Sequence, residues 1–208
     1  MIEILYDDKD VVFCVKPCGY SSETDLPKAL GEQLKSDIYT LHRLDKPVSG
    51  VMVYAKNKET AAKLSRKIAD QSDFEKTYLV VCEGEFEHSP GTMEDLLFKD
   101  SAKNKSYVVK RERKGVKKAL LEYEVLALAE YDGKKCSMVL VTLKTGRSHQ
   151  IRVQFASRKH PLFGDGKYGS KINCNIGLCS YKIETDNKCF TKRPPDEFPW
   201  NIFDIDLL

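Results

Sequence analysis

The sequence predicts an α+β fold, built on one mostly antiparallel mixed sheet with a few flanking helices. Three observations carry that prediction. Apolar residues alternate over 119–128 and form a return run over 136–143, with Asp132-Gly133 between them, the strongest short-range hairpin signal. Other short β-branched runs follow one another along the chain. Helical spacing is confined to a few short stretches. Successive hairpin strands with few helices point to α+β rather than to a parallel βαβ array.

The elements follow in order. Val11 to Val15 is a β-branched run closed by Lys16-Pro17-Cys18-Gly19, a strand leading into a turn. Leu26, Leu30 and Leu34 share one helical face, which Gly31 weakens. Val51 to Tyr54 is a short strand. Asn57 caps a helix through Ala69, with Ala61, Leu64 and Ile68 on one side. Thr77 to Cys82 is a buried strand closed by Gly84. Residues 89–118 are polar and basic and are expected as strands at the sheet rim with mobile loops. After the 119–143 hairpin, Ser148 is expected to cap a helix through Ser157, with Ile151 and Phe155 inward, ended by His160-Pro161. Gly164, Gly166 and Gly169 shape a loop. Leu178 to Ile183 is a further strand, and a Pro-rich stretch runs from Arg193 to Pro199. No repeat or low-complexity linker interrupts the pattern, so a single domain over 1–208 is expected.

Composition narrows the class. The 208 residues are 41% hydrophobic and 31% charged, which fits a packed globular chain rather than a disordered one. No apolar run approaches the roughly 20 residues that span a bilayer. The first residues carry no basic leader followed by an apolar stretch, so a mature cytoplasmic protein without membrane attachment is expected. Seven cysteines, with no Cys-x-x-Cys pair among them, are expected as reduced thiols rather than as a zinc site or disulfide framework. The net charge is only +3, but its distribution is uneven. Nine lysines and arginines crowd the segment from Lys99 to Lys118 against Asp100 and Glu112 alone. Arg147, Arg152, Arg158, Lys159, Lys167 and Lys171 form a second run. One such run is ordinarily a solvated face; two favour a polyanionic partner.

Three residues stand out as chemistry. Asp45 lies in the turn His42-Arg43-Leu44-Asp45-Lys46-Pro47-Val48-Ser49-Gly50. A lone turn Asp is commonly a cap. Beside a guanidinium, however, a carboxylate stays ionised and can attack an electrophilic carbon. Glycosidases need a second carboxylate about 5 Å away. None stands in a motif-like setting, since Glu122 and Glu124 sit in a strand and Asp165 lies in the glycine loop. Arg147, in Thr145-Gly146-Arg147, precedes a helix, where the macrodipole disfavours a cation. It is expected either to pair with Asp45 or to bind phosphate at the surface. Tyr78 is either a core tyrosine or a ring that stacks on a flipped base. His42, His149 and His160 are too scattered for a metal signature and read as structural or RNA-contacting.

These segments resemble the RluA family of pseudouridine synthases. His42-Arg43-Leu44-Asp45-x-x-x-Ser49-Gly50 resembles that family's aspartate motif, and Thr145-Gly146-Arg147-x-His149-Gln150-Ile151-Arg152 its downstream arginine motif. Tyr6-x-Asp8 to Lys16-Pro17, Lys76-Thr77-Tyr78, and His160-Pro161-Leu162-x-Gly164-Asp165 with Tyr168-Gly169 match further blocks in the same order. The resemblance covers about residues 4 to 183. It implies a pseudouridine synthase catalytic domain with a central RNA-binding cleft and isomerisation of uridine in ribosomal or transfer RNA. Asp45 would detach uracil as nucleophile or base, Arg147 would pair with it, Tyr78 would contact the ring, and Arg43 would fill the gap left by the flipped nucleotide. RNA contacts are further expected from His42, Arg152, Lys76 and Lys167. No cofactor, no metal and a monomer are implied, and no S4-type domain is expected, because the pattern begins within the first ten residues. Val48 stands where the family most often has Thr, and Leu178-Cys179-Ser180-Tyr181 replaces a Leu-His-Ala pattern. The alternative within the same fold is an RNA-binding or chaperone module without chemistry.

Overall fold

The computed structural model describes residues 1–70, 72–86, 89–186 and 188–203. The strands are β1 (Glu3–Asp7), β2 (Val11–Lys16), β3 (Tyr39–Thr40), β4 (Ser49–Ala55), β5 (Phe74–Glu83), β6 (Gly91–Asp100), β7 (Lys105–Val109), β8 (Val116–Tyr131), β9 (Lys134–Leu143), β10 (Leu178–Thr185) and β11 (Lys188–Thr191). The helices are α1 (Asp25–Leu34), α2 (Lys58–Asp70) and α3 (Gln150–Ser157). The pairings are antiparallel except for a parallel contact of β4 with β10, so the fold is α+β and mostly antiparallel, as the hairpin pattern implied. The chain divides into two compact units, Met1–Thr77 with Cys179–Pro194, and Tyr78–Leu178 with Pro195–Leu208.

In the first unit β1, β2, β4 and β10 lie in that order, with β3 against β4 and β11 against β10. Its core gathers Val11, Phe13, Val51, Val53, Leu64 and Ile183, with the ring of Phe190 tilted against that of Phe13 at a centroid distance of 4.3 Å. The strands expected over 11–15 and 51–54 and the helix expected from Asn57 through Ala69 form as β2, β4 and α2, with ends one or two residues further out. Asn57 caps α2 by accepting the Thr60 N–H at 2.8 Å. The parallel approach of β4 to β10 needs a glycine. Gly50 has φ +120, and a Cβ there would lie 2.3 Å from the Ser180 carbonyl oxygen. The glycine that follows the Asp45 turn is therefore fixed by packing.

In the second unit β5, β9, β8, β6 and β7 are neighbours in that order. Asp132 (φ 51) and Gly133 (φ 68) make the β8–β9 hairpin a type I′ turn, and a register shift between Val125 and Ala127 bends β8. The basic 89–118 segment forms β6, β7 and the start of β8, with Met93 and Leu97 buried and the lysines outward. One capping expectation is corrected. Ser148 does not cap α3. The N-cap residue is His149, in left-handed conformation (φ 53), and it makes no side-chain cap bond. The Gln150 side chain instead accepts the N–H of Arg147, ahead of the helix, at 3.0 Å. No described helix is long and apolar enough to cross a membrane, and the seven cysteines are free.

Replacing Gly50 by Ala combines a backbone clash with an unfavourable φ and is expected to destabilise the protein by about 3 kcal/mol or more. Urea unfolding of the variant beside the parent measures this.

Candidate active site

The Asp45 turn is held by its flanks. Leu44 and Val48 are buried, at 7% and 1% exposure, and anchor the turn on either side of a half-buried Asp45. The Val48 N–H closes it by donating to the Asp45 carbonyl at 2.9 Å. On one side the Ser22 hydroxyl meets both backbone groups of Leu44. On the other, the Lys46 carbonyl accepts from Lys16 Nζ at 3.0 Å and from the Gly19 N–H at 2.9 Å. Lys16 is fully buried, and its ammonium also donates to the Pro17 carbonyl. Burial pulls its pKa down to about 8, against the charges of Cys18, Asp45 and Asp25. The matched Lys16-Pro17 block thus has a structural meaning: it ties the end of β2 to the Asp45 turn.

The flanking residues expected at RNA divide. Arg43 is half exposed and lies 3.7 Å from an equally exposed Glu23, a pair worth little in water. Its guanidinium is available to a ligand. His42 is not. Its Nε2 accepts the Val53 N–H at 3.3 Å, and it packs edge-on against Phe74. Burial, aided by the charge of Lys76, holds its pKa down at about 3. His42 braces the turn against β4 as a neutral imidazole. Lys76 is half-buried with its ammonium 5.7 Å from the Phe74 ring centroid, and burial lowers its pKa.

In the second unit the arginine segment is stitched to β8. Gln150, 3% exposed, donates to the Leu120 carbonyl at 3.1 Å and accepts from Thr145 Oγ1 at 2.8 Å as well as from the Arg147 N–H. Thr145 Oγ1 accepts the Leu120 N–H. Arg147 lies at the surface, with Nε donating to the Lys118 carbonyl at 2.8 Å. Arg152 departs from expectation. It is 6% exposed, and it donates from Nε and Nη2 to the two oxygens of Asp165 at 2.7 and 2.8 Å. Asp165, weighed as a distant second acid, is 1% exposed and serves this ion pair instead. The Arg152 fork is thus turned to Asp165. A charge run in sequence does not reveal which of its members turns inward.

Tyr168 joins this pair to the basic rim. Its ring lies 5.3 Å from the Arg152 guanidinium and 5.1 Å from Lys105 Nζ. Its hydroxyl accepts the Ser106 N–H of β7 at 2.8 Å and meets His149 Nδ1 at 2.9 Å. Lys167 extends the same surface, with Nζ on the Asn104 carbonyl. Around it Lys99, Lys103, Lys110, Arg111, Arg113, Lys114, Lys117 and Lys118 are exposed, with Tyr107 among them. Cations interleaved with an exposed aromatic suit a phosphate backbone carrying stacked bases. Tyr78 is buried on β5. Among the described residues no group of three or more His, Cys, Asp or Glu is placed to hold a metal ion. Ser22, Gln150 and Tyr168 are the residues that sequence reasoning left without a role. Only the last two lie in blocks that could have flagged them.

The RNA pseudouridylate synthase profile matches residues 9–157, and the chain belongs to that family, of the RluA type. It is 36% identical over 187 residues to an uncharacterised RNA pseudouridine synthase of Aquifex aeolicus, an alignment covering 82% of this chain and 57% of that protein. It is 32% identical over 223 residues to ribosomal large subunit pseudouridine synthase D of Borreliella burgdorferi, covering 95% and 65%. It is 30% identical over 197 residues to tRNA pseudouridine synthase C of Yersinia pestis, covering 87% and 75%. The chain thus spans less than two thirds of the length of the first two. Among solved structures, human RNA pseudouridylate synthase domain containing 1 matches with a TM-score of 0.82 at 25% identity, covering 98% of this chain and 86% of that one.

The His42 environment has a pH consequence. Below its ordinary value of 6.5 the unfolded chain takes up a proton that the fold refuses down to about 3. The contribution is complete above pH 6.5 and is lost as pH falls through that window. Compared at pH about 7 and about 5 in urea melts, the protein should lose up to about 1.4 kcal/mol per pH unit more than a His42→Gln variant.

Proposed function

We propose that this chain isomerises uridine to pseudouridine in structured ribosomal or transfer RNA, as a cytoplasmic monomer that uses neither cofactor nor metal. One observation carries the reading: the aspartate of the matched motif stands on a turn whose peptides are fixed on both sides of it, so the backbone holds the carboxylate in one place. Asp45 acts as nucleophile or base to release uracil from C1′. The ring turns and reattaches through C5, which then gives up its proton. Nothing is oxidised or reduced and no group is lost to water, so one ionised carboxylate suffices where a hydrolase would need two. Tyr78 supplies the ring against which the flipped uracil rests. Arg43, exposed and weakly paired, occupies the space that the base vacates. The lysines of β6 to β8, with Lys167, hold the phosphate backbone.

The family's arginine motif offers two guanidinium groups to the reaction. Arg147 is the expectation from its place before the helix. Arg152 is the other: its guanidinium is buried and its plane is set by Asp165. Arg147, at the surface beside Lys118, has the setting of a phosphate contact.

Asp45→Asn should lower pseudouridine formation on the order of 10³-fold or more while leaving RNA affinity within about threefold. Mass-spectrometric detection of the product and filter binding measure the two, and an Asn variant with near-parental turnover would remove Asp45 from the chemistry. Arg152→Lys should cost turnover on the order of 10²-fold, because Lys keeps the charge but not the fork. Arg147→Gln should weaken binding and reduce the slope of log affinity against log salt by about one. The opposite pattern in the two variants would make Arg147 the arginine that serves the chemical step.

A further inference from the structure

Leu44 precedes Asp45, and its backbone belongs to no strand or helix. Both of its polar groups are nevertheless bonded, and by one side chain. The Ser22 hydroxyl accepts the Leu44 N–H at 3.2 Å and donates to the Leu44 carbonyl at 3.0 Å. Ser22 is 2% exposed. Its own carbonyl is held by the Tyr54 hydroxyl, which donates at 2.8 Å from a fully buried ring on β4. Burial pushes the Tyr54 pKa up, so the phenol stays protonated as a donor. Since β4 begins at Ser49, just beyond the Asp45 turn, the chain closes a loop on itself: β4 fixes Ser22, Ser22 fixes Leu44, and Leu44 leads into the turn that feeds β4.

From this geometry we infer that Ser22, locked by Tyr54, is a positioning residue for Asp45, setting the direction of its carboxylate toward the reacting nucleotide. The inference rests on the reading of Asp45 as the catalytic carboxylate. The physical reason is the shortness of an aspartate side chain: with two rotatable bonds, its oxygens go where the backbone sends them. The Lys46 peptide is fixed by Lys16 and Gly19, but this restrains only one side of Asp45. Without the hydroxyl of Ser22, Leu44 keeps two buried backbone groups with no partner and can relieve them only by rotating the peptide that adjoins Asp45. A shift of about 1 Å at a reacting group is enough to cost on the order of 10²-fold in rate.

The test compares Ser22→Ala and Tyr54→Phe with the parent in single-turnover pseudouridine formation at saturating enzyme, in RNA affinity, and in thermal unfolding, at a temperature where each protein is folded. Ser22→Ala should slow the chemical step about 30- to 100-fold with RNA affinity within about twofold. Tyr54→Phe, which removes only the bond to the Ser22 carbonyl and keeps the ring, should slow it about 5-fold and provides the answer if the Ala variant does not fold. In an Asp45→Glu background, where the longer side chain no longer follows the native alignment, Ser22→Ala should cost less than about 3-fold, a non-additivity that a purely structural role would not produce. Parental single-turnover rates in both variants, equal losses from Ser22→Ala in the parent and in the Asp45→Glu background, or a loss of RNA affinity alone would overturn the inference. If Asp45→Asn itself retains turnover, it is the catalytic reading that fails, independently of Ser22.

Discussion

A guanidinium and a carboxylate are costly to take out of water, and in the second unit Arg152 and Asp165 are both almost wholly buried. Two parallel charge-assisted bonds compensate that cost, and they do so only in one relative orientation of α3 and the glycine loop. The rest of the unit's functional surface follows from that orientation. Asp165 places the loop from which Tyr168 projects. Tyr168 covers the guanidinium and receives the Ser106 N–H of β7. The basic rim and the arginine segment are therefore referenced to the same buried pair.

The Asp45 turn and the 145–152 segment share a device. Each is irregular backbone, where strand or helix partners are missing and polar groups must be satisfied in another way. In each, one small or amide side chain substitutes for a neighbouring strand. Ser22 does so for Leu44, and Gln150 for the peptides of Leu120 and Arg147. Lys16 adds an ammonium spent wholly on two carbonyls, Pro17 and Lys46. Neither its charge nor its position in sequence would suggest so inward a use.

The fold was legible wherever a local period or a turn with its own chemistry spoke for itself. Asp132-Gly133 named its hairpin because only residues tolerant of positive φ close a type I′ turn, and Asn57 named the start of α2. β1 and β11 were not read, being short strands whose apolar residues gain meaning only by packing on Phe13. Ser148 was a sound cap by composition and lost to Gln150, whose longer side chain reaches back to Arg147. In the site, the motif around Arg43 and Asp45 stands out in the sequence, but the surroundings of His42 and Arg152 do not, for one physical reason: a charged or titratable side chain looks the same in sequence whether it faces phosphate or the core. Burial of His42 against Phe74 and of Arg152 against Asp165 is a tertiary fact.

The basic rim has a second consequence. β7 ends the strand order of its unit, so one row of its backbone groups has no strand beside it. A five-residue edge carrying exposed Tyr107 and Val108 would otherwise be a template for the edge of another copy. Lys103, Lys110 and Arg111 stand exposed around that edge, and like charges there oppose the approach of a second edge. A run of charge that suits a polyanion is thus also the composition that blunts a sheet edge, so one substitution there would bear on both.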